Sequence, residues 1–312
     1  MQRRCKNILI LIVALVFAAV GCGCDLDFAS SGQNAGISYS DRFEETGELI
    51  LRFLYVGQAD CTLISLPDGT TLLVDGGNDS DGEEIAGYIK SLGIDRLDLV
   101  VATHPHEDHI GGLDKILKEF PAGAIYAPEL PASAEPDTKN YRDFVAAAKG
   151  QDCGLSALAA GQTMYNAGGV TIDCLSPDAR DVYSDLNNYS IVLRITYGNQ
   201  NFLLMGDAET EVESVLLHEG YTLSATLIKA GHHGSKTSSS QKFIAAVSPE
   251  FAILSCGREN TYGFPHAQTL KTFAAMGTQV FSLSECGSVF AVCDGIGTTV
   301  TEYGELNLDG SK

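Results

Sequence analysis

Positive charge is what this sequence has least of. Lys and Arg number 20 against 40 Asp and Glu in 312 residues, a formal net charge of −20. Passive nucleic-acid binding draws its affinity from phosphate neutralisation, so this balance argues against a DNA-binding module and repels polyanions at long range. It does not exclude phosphate-ester chemistry, because bound divalent metals reverse the local sign. The nine cysteines include no CxxC pair and no zinc-finger spacing. Cys286 and Cys293 flank what reads as a continuous strand, Ser288 to Val292. At ~3.3 Å per residue they lie ~20 Å apart and cannot bond, so no disulfide framework is expected. Long apolar runs are also scarce. The uncharged run Ile8 to Val20 covers 13 residues, too few to cross a ~30 Å hydrocarbon core comfortably.

That short run belongs to a different pattern. Arg3, Arg4 and Lys6 precede it and the small residues Gly21 and Cys22 close it, the layout of a secretory signal. Ala19-Val20-Gly21-Cys22 resembles the bacterial lipoprotein signal, in which the cysteine becomes the lipidated first residue. Residues 1–21 are therefore expected to be a removable leader. Residues 22–46, polar and rich in Ser, Gly and Asn over Ser30 to Ser40, read as a flexible tether to a membrane surface. The expectation is an extracytoplasmic protein, lipid-anchored at Cys22 or secreted. Residues 47–305 would form the folded domain, with a frayed tail over 306–312.

From Glu48 onward strand and helix signals alternate. Leu49 to Val56 is a strand. Cys61 to Leu66 and Thr71 to Val74 form a hairpin about Pro67-Asp68-Gly69. Asp75 ends it. Glu83 to Leu92 has helical apolar spacing, and Leu97 to Ala102 is a buried strand running into His104. The same order returns later: a hairpin over Ser190 to Met205, then Asp207, a helix over Thr210 to Leu217, and the strand Ala225 to Ala230 running into His232-His233. Two related halves facing one site are implied. The Ala-, Gly- and Pro-rich middle, Pro128 to Gly169, reads as a substrate-side insertion or linker.

The chemistry concentrates in Thr103-His104-Pro105-His106-Glu107-Asp108-His109. Three of the seven histidines and a carboxylate lie within six residues at a strand end. Imidazole and carboxylate are first-choice ligands for zinc, iron or manganese. On extended backbone His104 and His106 project the same way, toward one ion. Asp108 and His109 follow where the chain turns, within reach of a second. Gly111-Gly112 allows close backbone packing beside them.

His-x-His-x-Asp-His after a strand resembles the metallo-β-lactamase superfamily signature, and the chain is similar to its ComEC-type competence-protein branch. The matching segments are Phe53 to Asp60, Leu73 to Gly77, the histidine cluster, Asn187 to Leu193, Phe202 to Asp207, Lys229 to Ser235 and Tyr262 to His266. Tyr55 and Ala59 stand where that branch usually has Asp and Gly. Asn187-Asn188 stand where many superfamily members have a histidine.

The resemblance implies an α/β (α+β) fold, a four-layer αββα sandwich with metals at one edge. It implies two divalent ions, Zn2+ first and Mn2+ or Fe as alternatives. His104, His106, Asp108, His109, Asp207 and His232 would be the ligands, with Asp207 bridging. Because neighbours on a strand point apart, one of His232 and His233 is expected to ligate. His232 is favoured, leaving His233 to touch substrate. His266 would protonate a leaving group or complete a metal shell, and Asp108, His233 and His266 form the catalytic set. Asp75, Gln58, Asp60, Asn188 and Lys229 would support the ligands from behind.

The expected activity is hydrolysis of a small or polymeric phosphodiester, in nucleic acid or a cell-envelope polymer, by a water shared between the metals. Charge disfavours nucleic acid. An acyl or ester hydrolase (lactone, thioester or β-lactam) and a non-catalytic DNA-uptake component are the alternatives.

Overall fold

The structure, a computed structural model, describes residues 47–306, which fall within a single compact unit. The leader, Cys22, the tether to residue 46 and residues 307–312 lie outside the described residues. No described helix is long and apolar enough to cross a membrane.

The first half runs β1 (Leu49–Phe53), β2 (Thr62–Ser65), β3 (Thr71–Val74), α1 (Gly82–Ser91), β4 (Leu97–Val101), α2 (Glu107–Ile110), α3 (Leu113–Glu119), β5 (Ala122–Ala127), α4 (Lys139–Lys149) and β6 (Leu155–Ala157). The second runs β7 (Thr163–Ala167), β8 (Val170–Ser176), β9 (Val192–Tyr197), β10 (Gln200–Leu204), α5 (Thr210–His218), β11 (Leu227–Lys229), α6 (Gln241–Val247), β12 (Phe251–Leu254), α7 (Ala267–Met276) and β13 (Gln279–Ser282). After α8 (Leu283–Cys286), strands β14 (Ser288–Cys293) and β15 (Thr298–Gly304) return to the first sheet.

One sheet has the order β15-β14-β1-β2-β3-β4-β5-β6 and the other β13-β12-β11-β10-β9-β8-β7. The two halves repeat one pairing scheme. From β1 to β6, successive pairs are antiparallel twice and then parallel three times. From β8 to β13 the sequence of pairings is the same. The repetition read from the sequence is thus a repetition of topology.

Strand alternation sorts side chains into layers. Leu72, Val74, Val101, Phe202 and Leu204 point into the core between the sheets. Their neighbours Leu73 and Val100 pack outward with Ile85, Ile89, Leu113, Ile116 and Phe144 of the helices on one side. Leu203 packs outward with Val212, Leu216, Phe243 and Phe273 on the other. Both faces of each central strand are covered, which explains their continuous apolar runs. The result is an αββα sandwich.

One expectation needs correction. The middle region is not an insertion: α4 covers the first sheet, β6 extends it, and β7 begins the second sheet. Strand β15, which no sequence pattern announced, closes the expected folded segment and pairs along β14 from Cys293 to Ser288. The six cysteines among the described residues are all unpaired.

Candidate metal centre

The site lies where strands of both sheets end. β3 delivers Asp75, β4 delivers residues 103–109, β10 delivers Asp207, and β11 delivers Lys229 and the two following histidines. Close backbone approach brings these ends together. A Cβ on Gly112 would stand 2.3 Å from the Gly76 carbonyl oxygen, and one on Gly111 2.3 Å from the Asp79 nitrogen. Only glycine fits there.

Asp75, 1% exposed, organises the histidine loop. Its carboxylate accepts from the Thr103 N–H and Oγ1–H, each at 2.8 Å, and from His109 Nδ1–H at 2.8 Å. The Nδ1 hydrogen of His233 is likewise donated to the Ser255 carbonyl at 2.8 Å. Both rings therefore turn Nε2 inward, and these two nitrogens lie 3.4 Å apart. Asp207 completes the centre. Its Oδ1 is 3.3 Å from His109 Nε2, and its Oδ2 is 3.2 Å from His233 Nε2 and 3.9 Å from both His104 Nε2 and His232 Nε2. Asp108 Oδ2 is 3.2 Å from His233 Nε2, and His104 Nε2 is 3.0 Å from His106 Nδ1.

These residues fit a divalent cation. Two imidazole Nε2 atoms and buried carboxylates converge, and no hydrogen bond of acceptable geometry reaches Asp207 Oδ1. Without a cation the cluster balances itself with protons. Burial alone would lower His109 and His233. Instead Asp207, Asp75 and Asp108 hold His109 well above its ordinary value, and Asp207 and Asp60 raise His233 to about 10. Burial would raise Asp207, but His233 and His109 hold it well below the usual carboxylate range. Burial and the neighbouring His109 charge keep His104 well below its ordinary value, so it is neutral and ready to ligate. A metal would replace the shared protons.

The expectation for His232 and His233 fails on its premise. Residues 231–234 form a 3-10 turn, not a strand, and both histidines have positive φ, 48° and 53°. Their rings do not point apart; both present Nε2 to Asp207. His233 is the deeper, grouped with Asp60, His109 and Asp207 in one buried cluster. His232 is partly exposed. Its Nδ1 is held by Glu209 Oε1 at 3.0 Å and Thr237 Oγ1 at 3.1 Å.

The supporting residues fall into place unevenly. Asp60 sits on the Nδ1 side of both deep rings, 3.7 Å from each, and pairs with Lys229. Lys229 also donates to the Gly206 carbonyl at 3.0 Å and is buried. Gln58 accepts from the Gly257 N–H, tying two loops together. Asn188 accepts from the Glu209 N–H and so reaches His232 only through Glu209, whereas Asn187 Nδ2 lies 3.5 Å from the His232 ring. His266 stands outside the cluster. Its Nδ1 accepts from the Lys236 N–H at 3.0 Å, so a neutral ring carries its hydrogen on Nε2. Sequence reading missed Ser190, whose Oγ accepts from the Asp207 N–H at 2.9 Å, as well as Glu209 and the Ser255 carbonyl. Glu209, two residues past Asp207, was open to inference; a backbone carbonyl carries no residue signal.

Comparison with known proteins agrees with this architecture. Residues 54–258 match the family model of the metallo-beta-lactamase superfamily. The chain is 28% identical to ComE operon protein 3 of Bacillus subtilis over 75% of its own length and 32% of that protein. It is 32% identical to Recombination protein 2 of Haemophilus influenzae over 76% of its length and 28% of that protein. It thus spans about a third or less of these relatives. Among solved structures, CmlA, a diiron β-hydroxylase from Streptomyces venezuelae, aligns with a TM-score of 0.49 at 16% identity, over 74% of this chain and 52% of that one. With its family model covering most of the domain, the chain belongs to the metallo-β-lactamase superfamily.

Proposed function

We propose that the chain is an extracytoplasmic metal-dependent phosphodiesterase, anchored through Cys22, with two divalent ions sharing Asp207. The observation that carries this is the convergence of four imidazole nitrogens on the buried Asp207 carboxylate. His109 Nε2 lies 3.3 Å from Oδ1, and His233, His104 and His232 Nε2 lie 3.2, 3.9 and 3.9 Å from Oδ2; one ion would take Asp108, His109 and His233, and the other His104, His106 and His232. In this reading His232 takes the place left by Asn187-Asn188, so both histidines of the turn ligate, one in each set. Zn2+ suits these ligands best, with Mn2+ or Fe as alternatives.

Bound metal pairs activate water at neutral pH and neutralise phosphate charge. The chain's residues supply the rest. Asp75 and the Ser255 carbonyl fix the His109 and His233 rings with Nε2 inward. Lys229 and Asp60 seal the floor beneath them. His266 holds its Nε2 hydrogen for the departing oxygen. The name of the Haemophilus relative, which concerns recombination, favours nucleic acid over an envelope polymer, while the net charge of −20 weighs against it.

Elemental analysis paired with hydrolysis of bis(4-nitrophenyl) phosphate tests the reading, with His106→Ala as control. About two transition metals per chain and activity lost in the variant are expected. Metal without phosphodiesterase activity moves the reading to acyl substrates. Failure to bind metal after reconstitution with zinc or manganese removes the mechanism.

A further inference from the structure

Tyr262, 64% exposed, is the only exposed Phe or Tyr among the described residues. Its ring lies parallel to Phe264, with centroids 5.3 Å apart and 14° between planes. Phe264 in turn stacks on His233 at 6.2 Å and 25°, and meets His232 edge-on at 5.5 Å. An unbroken stair of rings thus runs from the candidate metal centre to solvent and ends on a free aromatic face.

The stair is held rigidly. Asn260 donates to the Gly257 and Phe264 carbonyls and accepts the Phe264 N–H, at 2.7–2.8 Å. The His266 N–H donates to the Gly234 carbonyl at 3.0 Å. Nothing in the packing of the core needs Tyr262 in this position, and leaving so large an apolar face in water is unfavourable.

We infer that Tyr262 and Phe264 form a stacking subsite for a nucleobase, one or two nucleotides from the phosphodiester held at Asp207. The inference rests on the phosphodiesterase reading and narrows its substrate to single-stranded nucleic acid. A planar base extends a parallel ring stack, whereas a polyol-phosphate envelope polymer has no planar face to offer. Stacking also suits a chain so poor in cations, because it holds a strand by its bases and not by its phosphates.

Binding by the full chain is measured by NMR titration in EDTA, which prevents turnover. The probes are an oligothymidylate octamer and an abasic octamer with the same phosphates. The octamer with bases is expected to bind about 5- to 150-fold more tightly, the range of one stacked base. Tyr262→Ala removes most of that ratio and Tyr262→Phe keeps it. Equal binding of both oligomers, binding of neither, or a ratio that survives Tyr262→Ala overturns the subsite. If the ratio is absent while bis(4-nitrophenyl) phosphate is still hydrolysed, only the subsite falls. If the ratio holds and no diester is cleaved, the phosphodiesterase reading falls instead.

Discussion

Asp75 shows how a residue remote from substrate sets a metal centre. It accepts three hydrogen bonds that together aim His109 and anchor Thr103 beside His104. Asn in its place has one acceptor oxygen and turns an NH2 group toward donors. Asp75→Asn is expected to weaken metal affinity about 10- to 100-fold while the fold persists. Chelator competition measures the first and circular dichroism the second; unchanged affinity would free Asp75 of this role. Lys229 is a different case. Removing it takes from buried Asp60 its nearest cation, and breaking a buried pair costs about 3–5 kcal/mol. Lys229→Met should therefore be markedly less stable in urea than wild type, and adding Asp60→Asn should recover much of the loss. If the double variant is no better than the single, the two residues are not coupled. The histidine cluster was legible because its spacing follows a strand end. Lys229 and Asp60 were picked out only through the family resemblance, and their ion pair was not legible, since nothing in the neighbours of either reveals a buried partner 169 positions away in the chain.

At the level of elements, the hairpin, Asp, helix, strand and histidine order was readable twice, because central strands are apolar throughout and the turns carry Gly. What escaped reading was short or lacked alternation. β6 has three residues and is mostly exposed, and β15 is largely polar. The turn at Gly231–Gly234 was misread because left-handed histidines are rare enough that a strand was the natural guess. One helix start shows a device no pattern announced. Glu213, on α5 and 1% exposed, accepts from the backbone N–H groups of Ser239 and Ser240 where α6 begins. Glu213→Ala strands one buried and one part-buried donor and should cost about 2 kcal/mol. Burial raises the Glu213 carboxyl above its ordinary value, against those hydrogen bonds. A folded-state acid with a raised pKa contributes stability that is fully present below its unfolded pKa and declines as pH rises through the folded one. Glu213→Gln cannot ionise, so it should gain on wild type as pH climbs through and above the usual glutamate range. Parallel stability curves for the two proteins would contradict the assignment.

For the whole molecule, the governing quantity is the net charge of −20. A phosphodiester polymer approaching such a surface is repelled until it reaches the metal centre, and the repulsion acts over a Debye length of ~30 Å at 0.01 M salt but ~8 Å at 0.15 M. Encounter should therefore speed up as salt is added. The expected result is a kcat/KM for an oligonucleotide that rises over this range, while that for bis(4-nitrophenyl) phosphate, a compact monoanion, changes far less. Proteins that hold nucleic acid through many Lys and Arg contacts behave in the opposite sense, losing affinity steeply with salt. A kcat/KM that falls with salt would mean that a local cationic track overrides the global field, and that the strand is held by its phosphates. A rise would mean that long-range charge opposes capture, leaving retention to short-range contacts such as the metal centre and the ring stair at Tyr262.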